Sequence, residues 1–157
     1  MIKLPPSLHG TMSFVQVQIA AHNSALYVKA LDLRRPVLRW PLGLDFSEED
    51  VVAEAEEICV VAVDGEELWG TLQIKPLDAS TVKVRQVAVH PDWQGKGVGR
   101  AMSEFAENWA RENGFRTIRL HARLPAVPFY LRLGYEVVGE EFIEVTIPHL
   151  AMHKELG

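Results

Sequence analysis

Three glycines at alternating positions, Gly95, Gly97 and Gly99, separate an apolar strand pattern at residues 84–89 from an amphipathic helix pattern. Because glycine has no Cβ atom, such a loop can turn tightly and bring backbone N–H groups against a ligand. The first N–H groups of a helix have no intrahelical partners and lie at the positive end of the helix dipole. The sequence therefore predicts a phosphate-binding loop before this helix.

The glycine spacing excludes two common phosphate loops. A P-loop ends in Gly-Lys-Ser/Thr after a four-residue spacer, and the segment GKGVGRAM lacks that ending. A dinucleotide-binding loop requires G-x-G-x-x-G, and here the third glycine comes one residue early.

A third phosphate-loop pattern matches this segment without a gap. Gln94, Gly97 and Gly99 match Gln/Arg-x-x-Gly-x-Gly/Ala, and the block PFYLRLGY follows at residues 128–135. These two blocks resemble the pyrophosphate loop and a later helix of the GNAT superfamily of acyl-CoA-dependent N-acyltransferases. The resemblance is specific from about residue 57 to the end, and the first 56 residues agree in element order alone.

Composition limits the class of protein. A chain of 157 residues, 48% apolar and 24% charged, indicates a single globular domain over residues 1–157. The net charge of −5 argues against a nucleic-acid partner, and no stretch approaches the ~20 apolar residues of a membrane span. Cys59 is the sole cysteine, and the N-terminus lacks the apolar run of a signal peptide. We therefore expect a cytoplasmic protein.

The first half of the chain predicts a strand followed by two helices. Alternating apolar residues at 13–20 indicate the half-buried strand, and Asn23 or Ser24 caps a helix that Pro36 ends or kinks. Ser47 and Asp50 form a capping box for a second helix that runs to about residue 56.

Two features between these helices have alternative interpretations. Arg34, Arg35 and Arg39 form a basic cluster, for which a solvated helix face is favoured over anion binding. Residues 40–46 are unusually apolar for a loop: Trp40 is expected in the core, with a wall of the acceptor pocket as the alternative.

The remaining elements follow in the order expected of the family. Residues 58–63 are continuously apolar, which is typical of a central strand and makes Cys59 an inert core thiol. A hairpin turn at Asp64 and Gly65, two further strands, a helix at residues 98–113, a strand, a short helix and a final hairpin complete the order. The resemblance implies an α/β (α+β) GNAT-like fold. Its mixed, mostly antiparallel sheet has about seven strands, about four flanking helices, and two splayed parallel central strands that end at Val89 and Ala122.

The resemblance also implies acetyl-CoA as cosubstrate. The amide-rich pantetheine arm of coenzyme A would pair with the exposed edge of the first splayed strand, where a backbone N–H would also stabilise the thioester oxygen. The strand-edge residues are Val87, Ala88 and Val89. The pyrophosphate would lie on Gln94, Gly95, Lys96, Gly97, Val98, Gly99 and Arg100, with Lys96 and Arg100 adding charge.

Catalytic residues are assigned by position in the resemblance. Tyr130 matches the tyrosine that protonates the departing thiolate, with packing as the alternative. His121 and His149 are the candidate general bases, with an ordered water or a structural role as alternatives. No metal site is expected, because His149 and His153 would lie ~13 Å apart on one strand. Arg123 stands where many relatives have asparagine, which favours contact with a phosphate or with an acidic acceptor.

The resulting functional hypothesis is direct transfer of an acetyl group from acetyl-CoA to a primary amine of a small molecule. One alternative is acetylation of a protein N-terminus or lysine, and another is a coenzyme A sensor without turnover. The sequence leaves the acceptor, the acyl length and a homodimer open.

Overall fold

The fold is built on one mixed β-sheet. The computed structural model describes residues 2–3 and 14–157, with Ile2, Lys3 and Phe14 described as backbone only. The strand order is β1-β2-β3-β4-β5-β6-β8-β7. The strands are β1 (Ile2–Lys3), β2 (Phe14–Ala20), β3 (Ile58–Asp64), β4 (Glu67–Pro76), β5 (Thr81–Val89), β6 (Thr117–Arg123), β7 (Glu136–Glu144) and β8 (Ile147–Glu155).

Four α-helices cover the sheet within residues 14–157. They are α1 (Ala25–Arg34), α2 (Glu48–Ala53), α3 (Val98–Glu112) and α4 (Val127–Arg132). With the seven strands β2 to β8, they confirm the predicted element order and the predicted GNAT-like α/β architecture. Ser24 caps α1, and Ser47 and Asp50 form the expected capping box on α2. No helix in the described residues has the length and apolar character needed to cross a bilayer.

The two central strands β5 and β6 are the parallel pair of the sheet. Their register runs from Thr81 opposite Thr117 to Val84 opposite Leu120, and pairing stops there. Residues 85–89 of β5 and 121–123 of β6 continue without contacting each other through backbone hydrogen bonds. The predicted splay of two parallel central strands is therefore confirmed.

A β-bulge marks the point of separation. Thr71 of β4 pairs with Ala88 and Gln73 pairs with Arg85, so β5 carries one extra residue between these positions. Gln86 lies in this bulge with a φ of 55°, a left-handed conformation that costs a non-glycine residue roughly 1–2 kcal/mol. Because bulges bend a strand and increase its twist, this one directs β5 away from β6.

Both faces of the sheet are covered, as the apolar run in β3 predicts. Val60 and Ala62 contribute to the core on one face, together with Met102 and Ala106 of α3. On the other face, residues 59, 61 and 63 pack against Tyr27 and Ala30 of α1. Successive side chains of a strand point to opposite faces of the sheet. A strand that is buried on both faces therefore has apolar side chains at every position. Cys59 is buried as expected, and burial raises its thiol pKa to about 11.

Gly70 sets the distance between β4 and α3. A Cβ atom there would come within 2.9 Å of the side chains of Val98 and Met102. The missing side chain lets the first turn of α3 pack directly on β4. This contact fixes the start of α3 relative to the end of β5.

The predicted solvated face for the arginine cluster is wrong for Arg34. Its side chain is fully buried and pairs with Glu54 through two hydrogen bonds of 2.7 and 2.5 Å. The hydroxyl of Tyr27 donates to the same carboxylate at 2.8 Å. Burying a charge this deeply is tolerated because both terminal nitrogens of the guanidinium group bond to the carboxylate, although Nε of Arg34 has no partner among the described residues. The interaction ties the end of α1 to the segment after α2.

The expectation for Pro36 agrees with the structure, whereas that for Trp40 needs correction. The α-helical geometry of α1 ends at Arg34, and a π-helical turn (Arg35–Arg39) and a short 3₁₀ turn (Trp40–Leu42) follow it. Proline has no N–H with which to continue the hydrogen-bond pattern of an α-helix. Trp40 is 56% exposed and does not lie in the core.

All three tyrosines of the chain are buried, which predicts their behaviour in alkali. Burial raises the pKa of Tyr130 to about 12, and raises the pKa of Tyr27 and Tyr135 further. In the unfolded chain each ionises near ~10. The free energy of unfolding should therefore be unaffected below pH ~9 and fall as pH rises above ~10, by about 3 kcal/mol for Tyr130 alone.

The near-ultraviolet absorbance of tyrosinate tests this titration. We expect no ionisation in the folded protein at pH 10, and a single cooperative rise when the protein unfolds in stronger alkali. A tyrosine that titrates near pH 10 while circular dichroism remains native would contradict the burial of these three rings.

Candidate functional site

The glycine loop has the geometry of an anion-binding helix start. Gly97 is the N-cap of α3 with a φ of 92°, and Gly95 has a φ of 74°. The first helical hydrogen bond runs from the N–H of Ala101 to the carbonyl of Gly97, at 3.0 Å. The N–H groups before Ala101 have no partner inside the helix. A Cβ atom at Gly95 would meet no atom within 4 Å, so the space above the loop is open.

The polar side chains of this loop make different contacts. The Gln94 amide donates to the carbonyl of Val89 at 3.0 Å and so joins the loop to the end of β5. Arg100 is exposed and pairs with Glu104 one turn along α3, at 3.2 Å. Lys96 is half-buried and forms no hydrogen bond or ion pair with another described residue. Its ammonium group is therefore available to a ligand at the loop.

The strand edge beside the loop is open on one side. Ala88 and Val89 pair with β4, whereas residues 87–89 have lost β6 as a neighbour. An unpaired strand edge offers N–H and C=O groups to an extended amide chain. The open edge and the glycine loop together fit the pantetheine arm and the pyrophosphate of coenzyme A. The predicted residues of both segments are thus adjacent in the fold.

A cavity of about 400 Å³ lies where β5 and β6 separate. The splayed parts of both strands, the π-helical turn, α4 and the β7–β8 hairpin contribute to its walls. Its lining residues are Leu38, Arg39, Lys75, Lys83, Arg85, Gln86, Val87, His121, Ala122, Arg123, Ala126, Tyr130, Glu144, Val145 and His149. Residues 94–100 do not line it. Residues 40–46, the alternative pocket wall, do not line it either, since Leu38 and Arg39 occupy that side.

Tyr130 of α4 lines this cavity and is 6% exposed. Its ring contacts Phe129 and Tyr135 edge to face, with ring centroids 5.0 and 5.6 Å away. Its hydroxyl donates to no other described residue. Because burial raises its pKa to about 12, the hydroxyl stays protonated at neutral pH and remains a donor.

His121 faces the cavity from β6 in contact with Glu144 at the end of β7. The Nδ1 atom of His121 lies 3.1 Å from Oε1 of Glu144. Burial raises the pKa of Glu144, but the hydrogen bond and charge of His121, together with Lys83 and His149, outweigh this and lower it overall. An ionised carboxylate can only accept a hydrogen bond. Nδ1 of His121 therefore carries the proton, which leaves Nε2 as the acceptor of the neutral ring.

His149 of β8 is more deeply placed, with 4% of its surface exposed. Its Nδ1 donates to the carbonyl of Ile147 at 2.9 Å, and its Nε2 lies 3.9 Å from Glu144, too far for a hydrogen bond. His153 lies outside the cavity and faces Glu136 at 3.7 Å. Among the described residues, no cluster of three or more His, Cys, Asp or Glu side chains could hold a metal ion.

Sequence reasoning did not identify Gln86 as a site residue, gave Glu144 no role of its own, and treated anion binding by Arg39 as the less favoured alternative. Glu144 reaches the cavity through a hairpin turn in which Val145 and Thr146 have φ angles of 44° and 69°. Without glycine or asparagine, this tight turn carries no sequence signal for hairpin geometry. Gln86 depends on the bulge, and Arg39 on the π-helical turn, and neither irregularity has a clear sequence pattern.

Comparison with known proteins agrees with this geometry. The model of the acetyltransferase (GNAT) family matches residues 25–135. The uncharacterized N-acetyltransferase YjcF of Bacillus subtilis is 30% identical over 138 residues, which are 87% of this chain and 98% of YjcF.

Solved structures share the fold over nearly the whole chain. A candidate N-acetyltransferase from Lactobacillus plantarum superposes with a TM-score of 0.81 at 25% identity, covering 92% of this chain and 99% of that one. An aminoglycoside 6'-N-acetyltransferase complexed with coenzyme A superposes with a TM-score of 0.73 at 21% identity, covering 90% and 97%.

Proposed function

Because this chain belongs to the acetyltransferase (GNAT) family, we propose that it transfers an acetyl group directly from acetyl-CoA to a primary amine of a small molecule. The observation that carries the proposal is the cavity at the separation of β5 and β6, which adjoins the open edge of β5. An acyl donor along that edge and an amine in the cavity would meet at residues 87–89. We propose a single catalytic domain over residues 1–157, located in the cytoplasm.

The donor is held by backbone groups. Acetyl-CoA supplies the thioester-activated acetyl group. The N–H groups of residues 95–100 bind the pyrophosphate at the positive end of α3, and Lys96 and Arg100 add charge-assisted contacts. The edge at Val87, Ala88 and Val89 binds the pantetheine amides. A backbone N–H from the same edge stabilises the carbonyl oxygen as negative charge develops on it.

Tyr130 acts on the leaving group. Its hydroxyl has no partner among the described residues and opens onto the cavity, so it can donate to the departing sulfur. With a pKa of about 12, it holds its proton more tightly than a thiol of pKa ~8.5. The role it supports best is a hydrogen bond that stabilises the thiolate, with complete proton transfer the less favourable outcome.

His121 is the better candidate for the general base, ahead of His149. The hydrogen bond from Nδ1 to Glu144 directs the unprotonated Nε2 of His121 away from the carboxylate. An imidazole oriented by a carboxylate is a common arrangement for proton abstraction. Nδ1 of His149 is occupied by a backbone carbonyl and its ring is nearly inaccessible, which favours a structural role.

Direct transfer is supported by the residues that line the cavity. None of them is a serine, threonine or cysteine, so the described wall offers no hydroxyl or thiol for a covalent acetyl intermediate other than Tyr130. Cys59 is 3% exposed, and burial raises its thiol pKa to about 11, which removes the thiolate that nucleophilic attack requires.

The assay that tests the proposal is thiol release from acetyl-CoA. The acceptors would be a panel of small amines, amino acids, amino sugars and short peptides. We expect release with one or more small amines and N-acetylated product by mass spectrometry. Turnover restricted to peptides would support the protein-acetylating alternative. Coenzyme A binding without turnover on any acceptor would support the sensor alternative.

Replacing His121 with glutamine tests the base. We expect kcat/KM to fall at least about tenfold at neutral pH, with a smaller loss at higher pH, because the amine is then already deprotonated. His153→Gln is the matched control, since His153 also lies on the sheet and faces a carboxylate but is outside the cavity. A loss of the same size with His149→Gln, and none with His121→Gln, would transfer the role to His149.

A further inference from the structure

The cavity is strongly basic in an acidic protein. The chain has a net charge of −5, yet five of the fifteen lining residues are lysine or arginine and one, Glu144, is a carboxylate. A positive cavity in a negative molecule concentrates anions at that place. The positive charge of the lining residues therefore indicates which class of molecule the cavity binds.

Among the described residues, one of the five cations forms an ion pair with a carboxylate. Arg85 pairs with the buried carboxylate of Glu57 at 2.8 Å. Arg39 and Arg123 have no carboxylate within ion-pair distance among the described residues, and residues 1–13 contain no Asp or Glu. The two guanidinium groups donate to the same acceptor, the carbonyl oxygen of Leu38, at 3.2 and 2.8 Å.

Two positive groups on one carbonyl oxygen repel each other. Burial lowers the pKa of both arginines, and the charges of Arg123 and Arg34 lower the pKa of Arg39 further, against a smaller opposing effect of Asp50. The Phe46 ring, centred 4.5 Å from the Arg39 guanidinium, offsets part of this repulsion, and the rest is unfavourable unless something compensates it. A bound anion would do so, since a guanidinium group binds carboxylate and phosphate oxygens in parallel hydrogen bonds.

The two arginines come from opposite sides of the splay. Arg123 is the last residue of β6, whereas Arg39 follows α1 and contacts Gln86 in the bulge of β5. With its amide oxygen directed towards the donors, Gln86 accepts from Arg39 at 3.3 Å and from Arg85 at 3.2 Å. Gln86 therefore holds Arg39, and the carbonyl of Leu38 holds Arg123, so that the two side chains form a pair at the wall of the cavity.

We propose that the acceptor amine carries an oxyanion group, a carboxylate or a phosphate, and that Arg39 and Arg123 bind this group while the amine points to His121 and Tyr130. The proposal rests on the function proposed above and narrows its substrate class. It predicts that polycationic amines are poor acceptors. The anion is distinct from the phosphates of coenzyme A, because residues 94–100 do not line this cavity.

The test compares acceptors in matched pairs. One arm uses amino acids and their amides, and the other uses phosphoethanolamine and ethanolamine. In one of the two pairs, we expect kcat/KM to be at least about tenfold higher for the acceptor that carries the negative group. The pair that shows this difference identifies the anion as a carboxylate or a phosphate. Equal or better turnover of the neutral amines would overturn the inference while leaving the acetyltransferase function intact.

Arginine variants locate the anion. Arg39→Gln and Arg123→Gln should each raise KM for the charged acceptor about ten- to a hundredfold, with coenzyme A affinity unchanged. Arg119→Gln is the control, because Arg119 lies on β6 but is exposed and outside the cavity. If the variants lose coenzyme A binding and retain the acceptor KM, the arginines bind the donor and the inference is wrong.

If the protein acetylates none of these amines, calorimetry can still test the anion site. The same amino acids and phosphoethanolamine would be titrated into the wild-type protein and into Arg39→Gln and Arg123→Gln. Binding that both variants weaken would support the anion site even if the protein is not an enzyme. An absence of binding to the wild-type protein would overturn it.

Discussion

Replacing Gly97 with glutamate is expected to weaken coenzyme A binding at least about a hundredfold, equivalent to about 3 kcal/mol. Gly97 caps α3 with a φ of 92°, and its N–H lies among the groups proposed to bind the pyrophosphate. The new carboxylate would occupy the positive end of the helix and repel the phosphates. Isothermal titration calorimetry with coenzyme A measures the effect directly.

The matched control is Gly114→Glu at the other end of the same helix. Gly114 has a φ of 84°, and a Cβ atom there would meet no atom within 4 Å, so the variant carries the same backbone strain without a ligand nearby. Both variants should lose roughly 1–2 kcal/mol of stability from the left-handed residue. Equal coenzyme A affinity in the two folded variants would show that the donor binds elsewhere.

The change of Tyr130 to phenylalanine is expected to lower kcat about a hundredfold. General acid and hydrogen-bonding groups contribute typically ~10²–10⁴-fold, and a thiolate is a fair leaving group, which favours the low end. The variant keeps the ring contacts with Phe129 and Tyr135 and removes a hydroxyl that donates to no described residue. The melting temperature and coenzyme A affinity should change little.

Tyr135→Phe is the control for this measurement. Tyr135 is equally buried, at 4% exposure, and its ring lies 5.6 Å from that of Tyr130, but it does not line the cavity. The comparison requires pre-steady-state kinetics or a slow acceptor, so that chemistry limits the rate. If Tyr130→Phe keeps more than half of the wild-type kcat, Tyr130 is a packing residue beside the thioester.

The sequence predicts the sheet and the conformation of the glycine loop well because these depend on local patterns. Residues 58–63 are apolar at every position, and that pattern has one common explanation, a strand buried on both faces. Gly95 and Gly97 adopt φ angles of 74° and 92°, which residues with a Cβ atom rarely adopt. Ser47 and Asp50 cap a helix through contacts three residues apart. Each of these inferences requires only a short stretch of consecutive residues.

The cavity depends on long-range register, which local patterns do not contain. The hydrogen bond between His121 and Glu144 joins positions 23 residues apart and requires β8 to lie between β6 and β7. Arg34 and Arg39 look alike in sequence, yet one is buried against Glu54 and the other faces the cavity. Their difference arises from a π-helical turn that sequence propensity does not predict.

The residues proposed to bind the acceptor and those proposed to bind the donor lie in different segments of the chain. The buried pair of Arg34 and Glu54 fixes the first of these segments. It anchors the segment that carries Leu38 and Arg39, whereas the glycine loop belongs to the later β5–α3 unit. If Arg39 binds the acceptor and the glycine loop binds the donor, as proposed, substitutions between α1 and α2 would alter acceptor choice and leave donor recognition unchanged. Chimaeras that exchange residues 25–57 between homologous enzymes should carry the acceptor preference with that segment. Under the proposed roles, one donor-binding framework would serve different acceptors through changes in a single segment.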